Sequence, residues 1–369
     1  MGYIMHSKEQ GSRLTASAIG WHRIMRPPFF LAVQFFEIDF KIEGAGASNK
    51  RVRIHIHGIG YGYTIQLSLF MPRVPALFID KLAITIPLDG QRRQEVRLAV
   101  DDSSEQWGDF VSLASLRNRS YIRQFRFTTP DGAVATLLLE PTNRRNNEFK
   151  LEYSPNNFGQ SGRALLGEYL QVILGRTYLE DIWNAKLTRL DVAFDIRRVP
   201  LQDLLITDTK SRKSSIIRGV EGKAESYYFP FTGTNQLCVY DKLKEIDDRL
   251  GSPPTNRKRA PWVRFEYRYR RLNRYTLANV VGRMENPFHN FEVKQFGMAQ
   301  ARISVDRLRM LFDACRLQGL DAVLEEIPDI AARATYSLAY RTFPVPIFWQ
   351  RRTSIWGGLR AAIERSLPT

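Results

Sequence analysis

The sequence is poor in cysteine and has no long apolar segment. Its 369 residues include two cysteines, Cys238 and Cys315, which excludes a disulfide framework and a cysteine-rich zinc site. No apolar run reaches the roughly 18 residues of a membrane-spanning helix, and the apolar stretch 27–36 lacks the cleavage pattern of a signal peptide. The glycines at 58–62 have neither the spacing nor the lysine of a nucleotide-binding loop. These absences favour a cytoplasmic protein with reduced thiols and no membrane partner.

Positive charge, in contrast, is in large excess. The 54 Lys and Arg residues outnumber 38 Asp and Glu residues, which gives a formal net charge of +16. Such an excess favours a polyanionic partner, either nucleic acid or an anionic membrane surface. Many arginines stand beside aromatic residues, as in the stretch 264–275, and this pairing suits phosphates together with unstacked bases. No basic amphipathic helix of the membrane-surface type stands out, so we expect a nucleic-acid partner.

The apolar pattern predicts an α+β fold. Alternating residues predict strands at 78–86, 121–128, 133–140 and 148–153, with the turn Pro130-Asp131-Gly132 joining the middle pair. Apolar residues at helical spacing follow Ser161, which is a suitable N-cap, and predict a helix that covers the sheet. Further helices are predicted at 298–318, 320–327 and 355–366. We therefore expect a mainly antiparallel sheet with covering helices, followed by a helical C-terminal part.

The predicted strand 187–196 carries three charged residues on one face, Arg189, Asp191 and Asp195. Carboxylates are depleted in strands, so two interpretations remain open: each acid has a cation or a salt-bridge partner, or this face of the sheet is solvated. Positions four apart on a strand are separated by roughly 13 Å. One metal ion is therefore not expected to bind both acids, and the second would pair with Arg189 or with a neighbouring basic strand.

The predicted strand 262–271 alternates strictly between apolar and charged residues. One face has Val263, Phe265, Tyr267 and Tyr269, and the other has Arg264, Glu266, Arg268 and Arg270. A single acid among arginines is either an ion-paired residue or a metal ligand, and the pattern alone favours the ion pair.

An apolar strand at 236–240 ends in Tyr240, and a charged helix is predicted from Asp241 to Leu250. Lys242 and Lys244 follow the tyrosine and suit a phosphate. Two interpretations remain open: a half-buried tyrosine that closes a strand, or a nucleophile that attacks a DNA phosphodiester. The tyrosine alone favours the first, because tyrosine is common in strands.

Taken together and in this order, the three stretches resemble the Rep_trans replication initiation factors of rolling-circle plasmids and filamentous phages. The resemblance covers roughly residues 78–296 and implies a catalytic domain related to nicking enzymes that use a histidine–hydrophobic–histidine metal site. In this family carboxylates replace the histidine pair. Residues 1–70, including His55 and His57, would be a poorly defined N-terminal extension, and residues 297–369 a helical region suited to DNA docking.

The resemblance implies a role for each candidate residue. Tyr240 would be the nucleophile, and its attack would leave a 5′-phosphotyrosine link and a 3′-OH primer. Asp191, Asp195 and Glu266 would hold Mg²⁺ or Mn²⁺, with Glu245 as a further acid. Lys242 and Arg189 would stabilise the transition state. We expect Arg264, Arg268 and Arg270 to bind DNA.

The expected partner is origin DNA, either single-stranded or as an extruded hairpin, with a host helicase and a second copy of the chain as further candidate partners. The alternative function is a sequence-specific DNA-binding protein or regulator that has the same fold and no chemistry. The two differ in whether a covalent protein–DNA adduct forms.

Overall fold

The computed structural model describes residues 74–112, 120–143, 148–210, 214–220, 222–230, 235–251, 259–295, 305–342 and 344–369, together with five strands before residue 70. The chain divides into two compact units, Met1–Arg73 and Val74–Thr369. In the first unit the strands pair antiparallel in chain order: β1 Met5–Gln10, β2 Arg13–Ala18, β3 Phe36–Glu43, β4 Lys50–Gly58 and β5 Tyr61–Leu69. His55 and His57 lie in β4; the side chains of the first unit lie outside the described part.

The second unit is built on a ten-stranded antiparallel sheet. Its strands are β6 Phe78–Pro87, β7 Gly108–Ser112, β8 Tyr121–Thr128, β9 Val134–Pro141, β10 Glu148–Tyr153, β11 Lys186–Arg197, β13 Ser215–Arg218, β14 Ala224–Phe229, β15 Asn235–Asp241 and β16 Trp262–Arg270. Their spatial order is β13-β14-β15-β16-β11-β6-β10-β9-β8-β7. A separate pair joins β12 Leu204–Asp208 to β17 Phe291–Gln295.

Helices surround this sheet. They are α1 Gly90–Trp107, α2 Gln160–Leu174, α3 Tyr178–Asn184, α4 Lys242–Leu250, α5 Leu277–Arg283, α6 Val305–Gln318, α7 Leu320–Glu325, α8 Ile330–Thr342, α9 Ile347–Gln350, α10 Arg352–Gly357 and α11 Leu359–Ser366. The expected α+β class with a large antiparallel sheet is confirmed. Within the described residues, none of the helices has the length and apolar content needed to cross a bilayer.

The core lies on one face of the central strands. Alternate residues of β11 and β16 point into it, and the rings of Phe194 and Phe265 stack there with centroids 5.0 Å apart. Trp349 of α9 packs on Phe265 at 5.4 Å and is 1 % exposed. The inward face predicted for residues 263, 265, 267 and 269 is therefore confirmed, because all four are buried.

The end of the chain belongs to the same core. Ile355, Leu359 and Ile363 of α10 and α11 are buried against the sheet cluster. The hydroxyl of Tyr153, at the end of β10, donates a hydrogen bond of 2.8 Å to the carbonyl oxygen of Ser366. Residues 344–369 thus stabilise the sheet; the DNA-docking role expected for 297–369 stays a prediction.

Candidate active site

Three adjacent strands, β15, β16 and β11, bring most of the predicted site residues to one open face of the sheet. The strand register places Tyr240 of β15 opposite Arg264 of β16, and Arg264 opposite Asp195 of β11. Two residues along β16, Glu266 pairs with Cys238 on one side and Ala193 on the other. These side chains face away from the apolar core because alternate residues of a strand point to opposite faces. A cleft of about 680 Å³ lies above Tyr240, Arg264 and Glu266, and β14, β15 and α4 contribute to its walls.

Tyr240 and Glu266 are in direct contact on the floor of this cleft. The Tyr240 hydroxyl donates a hydrogen bond of 3.1 Å to Oε2 of Glu266. Glu266 also accepts from Arg268, whose Nε lies 2.7 Å from Oε1 and whose Nη2 lies 3.3 Å from Oε2. Burial alone would raise the pKa of Glu266, but the Arg268 hydrogen bonds and charge outweigh it and lower the pKa below its ordinary value.

The environment keeps Tyr240 protonated. Burial raises the pKa of its phenol well above the ordinary value, and the negative charge of Glu266 raises it further. A neutral phenol is a weak nucleophile. The nearest acceptor is the Glu266 carboxylate, to which the phenol already donates its hydrogen bond. The sequence placed these two residues in one site, and the structure joins them directly.

Asp191 lies on the neighbouring strand, β11, and forms a salt bridge with Arg189 of the same strand. Nε of Arg189 lies 3.0 Å from both carboxylate oxygens of Asp191, and Nη2 of the same guanidinium also contacts Oδ2. The carboxylate is 1 % exposed. Burial raises the pKa of Asp191 in spite of the Arg189 contact, and the Glu266 charge adds to this. Of the two partners expected for this acid, the structure shows the salt bridge.

Arg264 lies between two carboxylates and is almost fully buried, at 3 % exposure. Its Nε and Nη2 donate to Asp195 at 2.8 and 3.1 Å, and its Nη1 donates to Asp80 at 2.7 Å. Asp195 therefore pairs with the neighbouring basic strand, which was the second alternative from the sequence. Burial and the nearby Glu266 charge raise the pKa of Asp80 to about 6 from its ordinary 3.8.

Asp80 is a site residue that the sequence did not identify. It lies at a bulge in the pairing of β6 with β11, where Asp191 opposes Lys81 and the next residue, Val192, opposes Ile79. The bulge leaves Asp80 without an opposite residue and re-aims its side chain toward Arg264. The feature of the sequence that could have identified Asp80 is an acid near the start of an otherwise mainly apolar strand.

Helix α4 closes one wall of the cleft and begins at its N-cap, Asp241. Oδ1 of Asp241 accepts from the backbone N–H groups of Leu243 and Lys244 at 2.9 and 3.2 Å. This cap fixes Lys242, which is 9 % exposed, with its ammonium 5.8 Å from the Tyr240 ring centroid. Glu245 accepts an ion pair from Lys242. The proposed lysine and the proposed additional acid therefore bind each other beside the tyrosine.

The family models and the curated proteins provide no relative of this chain, because none of them matches it. The resemblance to Rep_trans factors therefore stays a prediction from the three stretches of sequence.

The three arginines expected to bind DNA differ in position. Arg264 is buried between its acids, Arg268 is half-buried on Glu266, and Arg270 is exposed at the end of β16. The cleft itself is balanced in charge, since seven basic side chains and seven carboxylates line it. The net charge of +16 therefore comes from outside the cleft.

The carboxylates as arranged do not form a metal site. Both oxygens of Asp191, Asp195 and Glu266 already accept hydrogen bonds from a guanidinium. Among the residues that the structure describes, no three His, Cys, Asp or Glu side chains are grouped closely enough to hold a metal ion. The expected Mg²⁺ or Mn²⁺ stays a prediction, and its binding would require a carboxylate to exchange an arginine for the cation.

Proposed function

We propose that this protein is a rolling-circle replication initiator of the Rep_trans type, which nicks one strand of origin DNA through Tyr240. The observation that carries the proposal is the Tyr240–Glu266 hydrogen bond of 3.1 Å on the floor of an open cleft. A nucleophile needs a base within hydrogen-bond reach and an open approach for its substrate.

The proposed reaction transfers the phosphodiester from DNA to the tyrosine. Oη of Tyr240 bonds to phosphorus while the bond from phosphorus to the 3′ oxygen breaks. The phenol proton passes to Oε2 of Glu266, and the departing 3′ oxygen takes a proton from solvent. The products are a 5′-phosphotyrosine link and a 3′-OH that can prime synthesis. The link conserves the phosphodiester, so the strand can later be rejoined by the reverse attack.

Arginine and lysine side chains supply the positive charge that the transition state needs. Lys242 lies beside the Tyr240 ring and Arg189 lines the same cleft. Fixed cations favour the charge that develops on the phosphoryl oxygens. Arg268 has a positioning role, because its two hydrogen bonds orient the Glu266 carboxylate toward the phenol.

A nicking assay on supercoiled plasmid that carries the element's origin tests the proposal. Tyr240→Phe should abolish nicking and leave DNA binding intact. The matched control is Tyr228→Phe, because Tyr228 lies on the adjacent strand β14 and lines the same cleft. Normal nicking by Tyr240→Phe, or equal loss in both variants, would refute the assignment.

One observation favours the second candidate function, a DNA-binding protein without chemistry. Each predicted metal ligand is already neutralised by an arginine, which is also the arrangement expected of a purely structural ion-pair network. The discriminating result is a covalent protein–DNA band after mixing with single-stranded origin oligonucleotide, which only the initiator forms.

A further inference from the structure

A second cavity lies on the other face of the sheet, at the far end of β16. It measures about 650 Å³ and lies where β16 ends and the segment leading to α5 begins. Tyr267 and Tyr269 of β16 and Asn235 of β15 line one side. Tyr275 and Asn290 line the other. The nicking chemistry proposed above uses none of these residues.

Three tyrosine rings line this cavity. The rings of Tyr267 and Tyr269 are tilted by 52° with centroids 4.6 Å apart. Tyr275 is half-buried, and the guanidinium of Arg274 lies 4.9 Å from its ring centroid. Planar rings with an adjacent guanidinium are the surface on which unpaired bases stack. Asn235 and Asn290 add amides, which can bond to base edges.

Positive charge without an ion pair lines the same cavity. Arg274 and Arg283 are both lining residues, and both are exposed. Across the part of the chain that the structure describes, neither of the two makes an ion pair. Carboxylates balance the basic side chains of the Tyr240 cleft, but Glu285 is the one carboxylate beside these two arginines in the cavity lining. This lining therefore favours the binding of phosphates.

We propose that this cavity binds a nucleobase of single-stranded DNA, with its flanking phosphates on Arg274 and Arg283. This inference rests on the proposed function for the identity of the polymer. Tyr269 lies five residues along β16 from Arg264, the residue opposite Tyr240, which corresponds to about 17 Å. A strand that passes over the end of β16 can therefore occupy both sites, with the bound base a few nucleotides from the nicked phosphate.

The experiment uses the full chain with Tyr240→Phe, so that DNA binds without being cut. Single-stranded oligonucleotides carry 2-aminopurine at successive positions, and its fluorescence reports stacking. We expect quenching at one position, a few nucleotides from the nick. Tyr275→Leu keeps the apolar packing and should remove this quenching. Arg274→Ala with Arg283→Ala should weaken binding about tenfold or more and lower the salt slope by about 0.7 for each arginine.

Arg126→Ala is the matched control, because it removes an exposed arginine on β8, toward the opposite edge of the sheet. Thermal unfolding of every variant establishes that it is folded, and the exposed arginine variants test the proposal without disturbing the core. The inference is overturned if quenching survives Tyr275→Leu, or if the double arginine variant binds no more weakly than Arg126→Ala. Loss of quenching in these variants without any Tyr240 adduct in the wild type would refute the nicking proposal and support this one.

Discussion

Asp80 provides a prediction whose size follows directly from the structure. Its carboxyl group has a pKa of about 6 in the folded protein, against an ordinary value of 3.8, chiefly because it is buried and secondly because Glu266 lies nearby. A change of one in pKa corresponds to about 1.4 kcal/mol. Ionising Asp80 thus costs about 3 kcal/mol more in the folded protein than in the unfolded chain.

The direction in which stability changes with pH follows from the raised pKa of Asp80. Below about pH 3 the carboxyl is protonated in both states, and the cost is absent. As the pH rises through about 6, the folded protein ionises Asp80 and loses this stability. Asp80→Asn has no charge to form, so its free energy of unfolding relative to the wild type should rise by about 3 kcal/mol between pH 3 and pH 7.

Urea denaturation followed by tryptophan fluorescence measures this difference, since Trp349 is buried in the sheet core. Asp195→Asn removes the other carboxylate from Arg264 and controls for loss of an Arg264 contact. The reasoning is refuted if the stability difference between Asp80→Asn and the wild type does not change with pH, or if it changes in the opposite direction.

Three further predictions concern packing, capping and metal. Gly167→Ala should destabilise the protein by about 1–3 kcal/mol in the same urea assay, because the added Cβ would lie 2.8 Å from the carbonyl oxygen of Pro368; unchanged stability would contradict the docked C-terminus. Asp241→Ala should cost about 1 kcal/mol by removing the α4 cap, whereas Asp241→Asn, which retains a capping oxygen, should cost less. Mn²⁺ titration by electron paramagnetic resonance should show weak binding to the wild type and tighter binding to Arg268→Gln, because a guanidinium then no longer competes for Glu266. Equal Mn²⁺ affinity in both proteins would show that this pair does not limit metal binding.

Much of the sheet was predictable because its strands obey local rules. The alternation in β16 and the turn at residues 130–132 both follow from the identities of residues that are adjacent in sequence, and both are confirmed. Helix α4 was bounded by its cap at Asp241 and by Gly251, which adopts the left-handed conformation that favours glycine. The N-cap prediction for α2 was wrong: the helix begins at Gln160 after Gly159, and Ser161 lies inside it.

Elements with weak apolar patterns were missed. Helix α1 contains the buried pair Val96 and Val100, one helical turn apart, within a mostly polar segment. The apolar residues of this 18-residue segment are Val96, Leu98, Ala99, Val100 and Trp107, and three of them are consecutive, so they give too little helical periodicity to predict a helix. Helix α8 was also missed, for no reason that its residues make evident.

The contacts of the site could not be predicted in detail, because they depend on strand register. Arg264 contacts Asp195 and Asp80 only because three strands distant in sequence become neighbours. The sequence left a choice between a metal ion and a salt bridge for each acid, and that choice depends on which guanidinium comes within reach. The bulge that turns Asp80 toward Arg264 belongs to the pairing of β6 with β11, which neither strand determines alone.

The most direct test of the account identifies the residue that becomes linked to DNA. The wild-type protein is mixed with single-stranded origin oligonucleotide, the covalent complex is digested, and tandem mass spectrometry locates the modified residue. The account predicts a 5′-phosphate ester on Tyr240. An adduct on Tyr228 or on any other residue, or the absence of an adduct under conditions in which the DNA is bound, would contradict it.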